Sequence, residues 1–161
     1  MSHFSQGLEF PFLQALRDNW SVMLEEYREV VAYLQDWHEP IYDGDWKVFG
    51  FKYLGQRIEH SFCPRTRAIV DSMPTATNAA FSVLKPNTEI KPHVGYTDEV
   101  LRSHTGLICP DNCAITVDGE EYIWKQGELV VFNDRLEHSA YNRSTEDRVI
   151  FILDFPIGGI Q

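Results

Sequence analysis

A mainly β fold, a sandwich or closed barrel entered through an N-terminal helical segment, is the class this sequence predicts. Three observations predict it. Residues 46–53 alternate with a two-residue period, and from residue 79 onward the chain divides into short runs of strand length. Turn signals separate those runs at the close spacing of strands that return on themselves. Only before residue 40 do apolar residues recur at intervals of three and four. A length of 161 residues fits one domain, 1–161, with a helical segment over 1–40 and a β core over 46–156.

The elements follow in order. Pro11 suits a first helical turn, and Phe12, Leu16, Trp20, Met23, Leu24, Tyr27, Val31 and Leu34 keep a helical face through 11–37. Asp18 and Asn19 divide this stretch into two helices, with Ser21 capping the second. Asp43-Gly44-Asp45 marks a turn. Trp46, Val48, Gly50 and Lys52 then alternate with Lys47, Phe49, Phe51 and Tyr53, which predicts a strand. Residues 63–73 hold a short helix ended by Pro74. Strands are expected over 79–85, 89–92, 103–109, 113–117, 121–124, 128–132, 136–141 and 147–154. Asp118-Gly119 is a strong hairpin signal.

Composition narrows the function classes. A net charge of −10 argues against nucleic acid and against docking on an anionic membrane, because both need a basic face. No apolar stretch reaches 18 residues, so no membrane span is expected, and the N-terminus lacks the pattern of a signal peptide. Cys63, Cys109 and Cys113 form no CxxC pair; they read as small buried hydrophobes with reduced thiols, which fits a cytoplasmic location. Nothing in the sequence fixes the oligomeric state.

The chemistry-bearing residues lie in the β region. His93 follows Pro92 and leaves a strand two residues before Gly95. His138 shares a strand face with Leu136 and Ala140, so it points inward. One inward histidine is ordinarily a hydrogen-bonded core residue; two on one strand-rich scaffold raise the case for a metal. Arg148 lies on a strand whose two faces are both apolar, Arg148-Ile150-Ile152-Asp154 and Val149-Phe151-Leu153-Phe155. A buried arginine needs an anion, since an unpaired charge there costs several kcal/mol. Asp154 is too far along the same strand, so a ligand carboxylate is a natural partner for the guanidinium fork. Ser82 is a hydroxyl within an apolar strand, either a small strand residue or a further hydrogen bond to the same ligand. Arg102 and His104 alternate on "LRSHTGL" and offer a second anion site or a solvated strand end.

The motifs P-H-x-G, L-R-x-H-x-G-L, F-x-D-x-x-E-H and R-x-I-F-I-x-D, read together over roughly residues 46–156, resemble the aspartyl/asparaginyl β-hydroxylase family. The resemblance implies a double-stranded β-helix (jelly roll) with the N-terminal helices packed on it. It also implies an oxygenase that uses Fe(II), 2-oxoglutarate and O2 to hydroxylate an unactivated carbon, the β-carbon of an amino acid or peptide residue, releasing succinate and CO2. By that resemblance His93 and His138 ligate iron, with glycine (Gly95) where the wider superfamily has a carboxylate. Arg148 and Ser82 take the distal carboxylate of 2-oxoglutarate, His104 lies near its other end, and Arg102 meets a substrate carboxylate. Asp134 and Glu137 are weaker candidates for supporting contacts, because turn carboxylates are usually solvated. Expected partners are a small-molecule, carrier-bound or peptide substrate. Three other readings compete. One is a cupin-like binding protein without turnover, another a zinc enzyme using His93, His104 and His138, and the third a structural β-sandwich with incidental histidines.

Overall fold

The computed structural model describes residues 1–158. The helical segment comprises a 3₁₀ turn at Pro11–Leu13, α1 (Gln14–Asp18), α2 (Trp20–Tyr27) and a second 3₁₀ turn at Val31–Tyr33. Strands β1 (Gln35–Asp36), β2 (Tyr42–Asp43), β3 (Trp46–Tyr53) and β4 (Gln56–Arg57) follow, then α3 (Pro64–Asp71). The remainder is β5 (Asn78–Leu84), β6 (Thr88–His93), β7 (Val100–Ile108), β8 (Cys113–Val117), β9 (Glu120–Tyr122), β10 (Leu129–Phe132), β11 (His138–Asn142) and β12 (Arg148–Pro156).

These strands make two sheets, antiparallel in every pairing. The major sheet runs β1-β3-β5-β12-β7-β10, with β4 on β3; the minor sheet runs β2-β6-β11-β8-β9. The alternation that identifies the strands also assigns their faces. Trp46, Leu84, Phe132, Ile150 and Ile152 of the major sheet meet Ile90, Ile115, Val117 and Ala140 of the minor sheet in an inner core. The opposite face of the major sheet, with Phe51, Phe81, Val149, Phe151 and Leu153, buries Leu13, Leu16, Met23 and Tyr27 of the helical segment. The result is the expected jelly roll with helices packed on its outer face. Among the described residues no helix is long and apolar enough to cross a membrane.

Three expectations change. The α-helix ends at Tyr27, and one 3₁₀ turn at Val31–Tyr33 follows, so helical structure stops short of residue 37. Val30 and Val31 are weak helix formers, Leu34 is extended (φ −66°, ψ 142°), and Gln35–Asp36 pair with Lys47–Val48 as an edge strand. Tertiary pairing therefore overrides the local period, and Val31 is left 47% exposed. Ser21 caps nothing: Asn19 precedes α2, and its side chain bonds back to the Ala15 carbonyl at 2.7 Å. Leu136 lies before β11 rather than in it, which frees its carbonyl for the bond described below.

Candidate metal and cosubstrate centre

The site is built where β6 and β11 pair. The register sets His93 opposite His138, and their ring centroids lie 4.2 Å apart at an interplanar angle of 60°. Each ring is held by the carbonyl two residues before it. His93 Nδ1 donates to Lys91 O at 2.6 Å, and His138 Nδ1 donates to Leu136 O at 2.8 Å. With Nδ1 protonated, a neutral ring keeps its lone pair on Nε2, the tautomer a metal ligand needs. Burial holds His93 below the usual histidine value, with the nearby His138 adding to the effect, so the ring favours the neutral form.

Asp134, in the turn before β11, is 1% exposed. Its Oδ1 lies 3.1 Å from His138 Nε2 and 3.3 Å from Arg102 Nη1. Burial alone would raise the Asp134 carboxyl, but Arg102 and His138 outweigh it and hold it at about 2. When His138 is protonated it donates from Nε2 to Asp134 Oδ1; when His138 is neutral the oxygen faces its lone pair with only the Arg102 ion pair beside it, an arrangement that a bound cation resolves. The same carboxylate explains the glycine: a Cβ at position 95 would overlap it, and Gly95 N donates to Asp134 O at 2.8 Å. The expectation of a solvated turn carboxylate thus fails for Asp134 and holds for Glu137, which is exposed.

Arg148, 1% exposed, lies behind this pair on β12. Its Nη2 donates to Ser82 Oγ at 3.0 Å, its Cζ sits 4.3 Å from the Trp124 ring centroid, and its Nε has no partner. Burial lowers its pKa to about 10, which leaves it cationic at neutral pH. Trp46 Nε1 also donates to Ser82 Oγ, at 2.8 Å. A hydroxyl that already accepts twice offers its proton outward. Ser82 and Arg148 together therefore present donors that no carboxylate among the described residues receives. His104, 6% exposed, accepts from Trp124 Nε1 at Nδ1 (3.1 Å), and burial, with Arg102 and Arg148 nearby, holds it well below the usual histidine value.

Arg102 differs from expectation. Its Nε and Nη2 donate to the two oxygens of Asp154 at 2.7 and 2.9 Å, directly across the β7–β12 register, and Asp134 takes the third side. Two protein carboxylates neutralise it, so it has no charge left for a substrate anion. The three-histidine zinc arrangement is not formed either. The Nδ1 of His104 is occupied by Trp124, and among the described residues no three His, Cys, Asp or Glu side chains converge as a metal cage.

Two cavities meet here. About 30 Å³ of open space lies among Ser82, Arg148, His93 and His138, room for a water or two. A groove of about 870 Å³ runs outward from Arg102 and Ile152, which line both cavities. Gly50 and Ala80, neighbours across β3 and β5, lie along it, and Val48, Trp37, Ile58 and Phe62 add apolar lining.

The motifs, the histidine pair and the β-helix agree with a comparison against known families: a family model for aspartyl/asparaginyl beta-hydroxylase matches residues 17–156. The chain belongs to the aspartyl/asparaginyl β-hydroxylase family. A Rhizobium tropici ornithine lipid ester-linked acyl 2-hydroxylase is 37% identical over 118 residues, 70% of this chain and 42% of its own. The human aspartyl/asparaginyl beta-hydroxylase is 28% identical over 155 residues, 88% of this chain and 20% of its own. The chain thus spans less than half the length of either relative. Among solved structures, a Pseudomonas putida prolyl-4-hydroxylase superposes with a TM-score of 0.61 at 15% identity, covering 87% of this chain and 86% of that one. That likeness speaks for the fold.

The structure brings His93, His138, Arg148, Ser82, His104 and Arg102, all singled out in the sequence, onto one inner cavity. Sequence reasoning missed Trp46 and Trp124, whose signal was available: a buried indole N–H needs an acceptor.

Proposed function

We propose that this protein is an Fe(II)- and 2-oxoglutarate-dependent hydroxylase. The observation that carries the reading is a buried Arg148, with no carboxylate partner among the described residues, on the same cavity as two imidazoles whose Nδ1 atoms are already spent. The donor set fits both groups: His93 and His138 would hold the metal through Nε2, and Arg148 with Ser82 would hold the distal carboxylate of 2-oxoglutarate. When bound, the metal and cosubstrate supply the dioxygen chemistry that converts 2-oxoglutarate to succinate and CO2 and inserts a hydroxyl into a C–H bond.

The residues do the rest. The two backbone carbonyls fix the histidine tautomers. Asp134 supplies a negative charge beside the metal position from the space that a side chain at residue 95 would otherwise take. Arg148 and Ser82 orient the diacid, and His104 is placed to donate to its other end. The inner space is smaller than a five-carbon diacid, so Arg148, His104 and the inner aromatics must spread on its entry. A reducing, cytoplasmic location accords with three free cysteines.

The amino-acid or peptide substrate expected from the sequence rests partly on Arg102, which Asp154 and Asp134 neutralise. The groove of about 870 Å³, whose lining is more apolar than polar, favours a second reading, an extended acyl chain, and the name of the Rhizobium relative points the same way. Mass spectrometry for one added oxygen, run with Fe(II), ascorbate and 2-oxoglutarate on peptides, amino acids and acyl conjugates, separates these readings. Succinate should appear with the parent protein. Arg148→Ala should raise the 2-oxoglutarate requirement by one to two orders of magnitude, since it leaves a carboxylate unpaired at a buried site. No succinate from the parent under any condition would overturn the hydroxylase reading.

A further inference from the structure

Trp124 lies between β9 and β10, outside any strand, yet it is 3% exposed. It touches two of the groups that surround the inner cavity. Its ring face carries the Arg148 guanidinium, with Cζ 4.3 Å from the centroid, and its N–H donates to His104 Nδ1 at 3.1 Å. Arg148 stands on β12 and His104 on β7, so one indole spans two strands.

We propose that Trp124 is a positioning residue for 2-oxoglutarate that acts on both of its ends, through Arg148 and through His104. This rests on the reading above that Arg148 receives the distal carboxylate. The two contacts do different things. The ring face steadies a desolvated cation where no carboxylate among the described residues does, and it leaves the edge of the guanidinium available, as the unpartnered Nε shows. The N–H contact selects a tautomer. An Nδ1 that accepts cannot carry the proton, so a neutral His104 must hold it on Nε2 and can only donate there. His104 lines the inner cavity together with His93 and His138.

The chain around Trp124 is fixed by a residue of the L-R-x-H-x-G-L motif to which the mechanism gives no part. A Cβ at Gly106 would overlap the Lys125 carbonyl, the residue after Trp124. The close approach is fastened by Gly127 N to Gly106 O at 2.9 Å and by Gln126 Nε2 to Leu107 O at 2.9 Å. Gly106 therefore lets the Trp124 segment lie on the strand that bears His104.

The test has two arms. In the unmodified protein, ¹⁵N NMR of the histidine rings should show His104 as the Nε2–H tautomer; an Nδ1–H ring would overturn the proposal without any variant. In the Mn(II)-loaded protein, calorimetric titration with 2-oxoglutarate should show Trp124→Phe, which keeps a ring but lacks the donor, binding about fivefold more weakly. His104 in that variant should become a mixture of tautomers. Trp124→Leu, which loses both contacts, should bind about a hundredfold more weakly. Folded variants that bind as tightly as the parent would overturn the positioning role, as would Phe and Leu variants of equal affinity with His104 unchanged. A parent that binds no 2-oxoglutarate would instead overturn the functional reading itself.

Discussion

Gly95 and Asp134 form the most informative pair of residues in this chain. The sequence shows a glycine where a carboxylate is expected and leaves it unexplained, because the occupant of that space is 39 residues away. The structure supplies it: the Asp134 carboxylate fills the volume a side chain at 95 would take and lies 3.1 Å from His138 Nε2. Asp134→Asn keeps the volume and removes the charge. It should weaken Fe(II) binding tenfold to a hundredfold, the range for groups that support a metal ligand, with a circular dichroism spectrum like the parent's. Anaerobic metal titration checks this, and unchanged affinity would make Asp134 a spectator. The histidines were legible because each sits in a recognisable strand. Asp134 was not, because burial of a turn carboxylate depends on its tertiary pairing with Arg102, 32 residues earlier, which the sequence does not mark.

At the scale of elements, strands were legible and the helix end was not. The region from residue 79 onward reads correctly within a few residues because turn signals bound each run, and strands buried on both faces, such as β10 and β12, stand out as short continuous apolar runs. The helical period runs on past Tyr27 only by coincidence of Val31 and Leu34, and the pairing of β1 with β3 decides the outcome. That pairing matters for function. β1 and β4 cover the edge of β3 at its two ends, and the groove passes along β3 between them over Gly50. Gly50→Leu should fill this passage. It should raise the KM for a long-chain acyl substrate about tenfold or more, the equivalent of displacing two or so methylenes, while leaving the 2-oxoglutarate affinity unchanged. A chain-length series of acyl conjugates reads the effect directly, and an unaltered series would show that substrate takes another path.

At the scale of the whole molecule, the order of strands was beyond reach. Nothing local tells β12 to insert between β5 and β7, yet that insertion sets Arg148 across from Leu84, carries Asp154 to Arg102 and centres the cavity. The helical segment has a plain role at this scale. Leu13, Leu16, Met23 and Val30 are fully buried and Tyr27 is 3% exposed, all against the outer face of the major sheet. Removing residues 1–30 should uncover Phe81, Val149 and Phe151. The truncated protein is expected to bind a hydrophobic dye and to lose about ten degrees or more of Tm; a truncated protein as stable as the parent would contradict this packing. The account as a whole rests on His93 and His138 sharing one ferrous ion. Anaerobic Fe(II) titration of the parent and of His138→Ala tests that most directly. One Fe(II) per chain in the parent, lost in the variant, is the expected result; equal binding by both would contradict it.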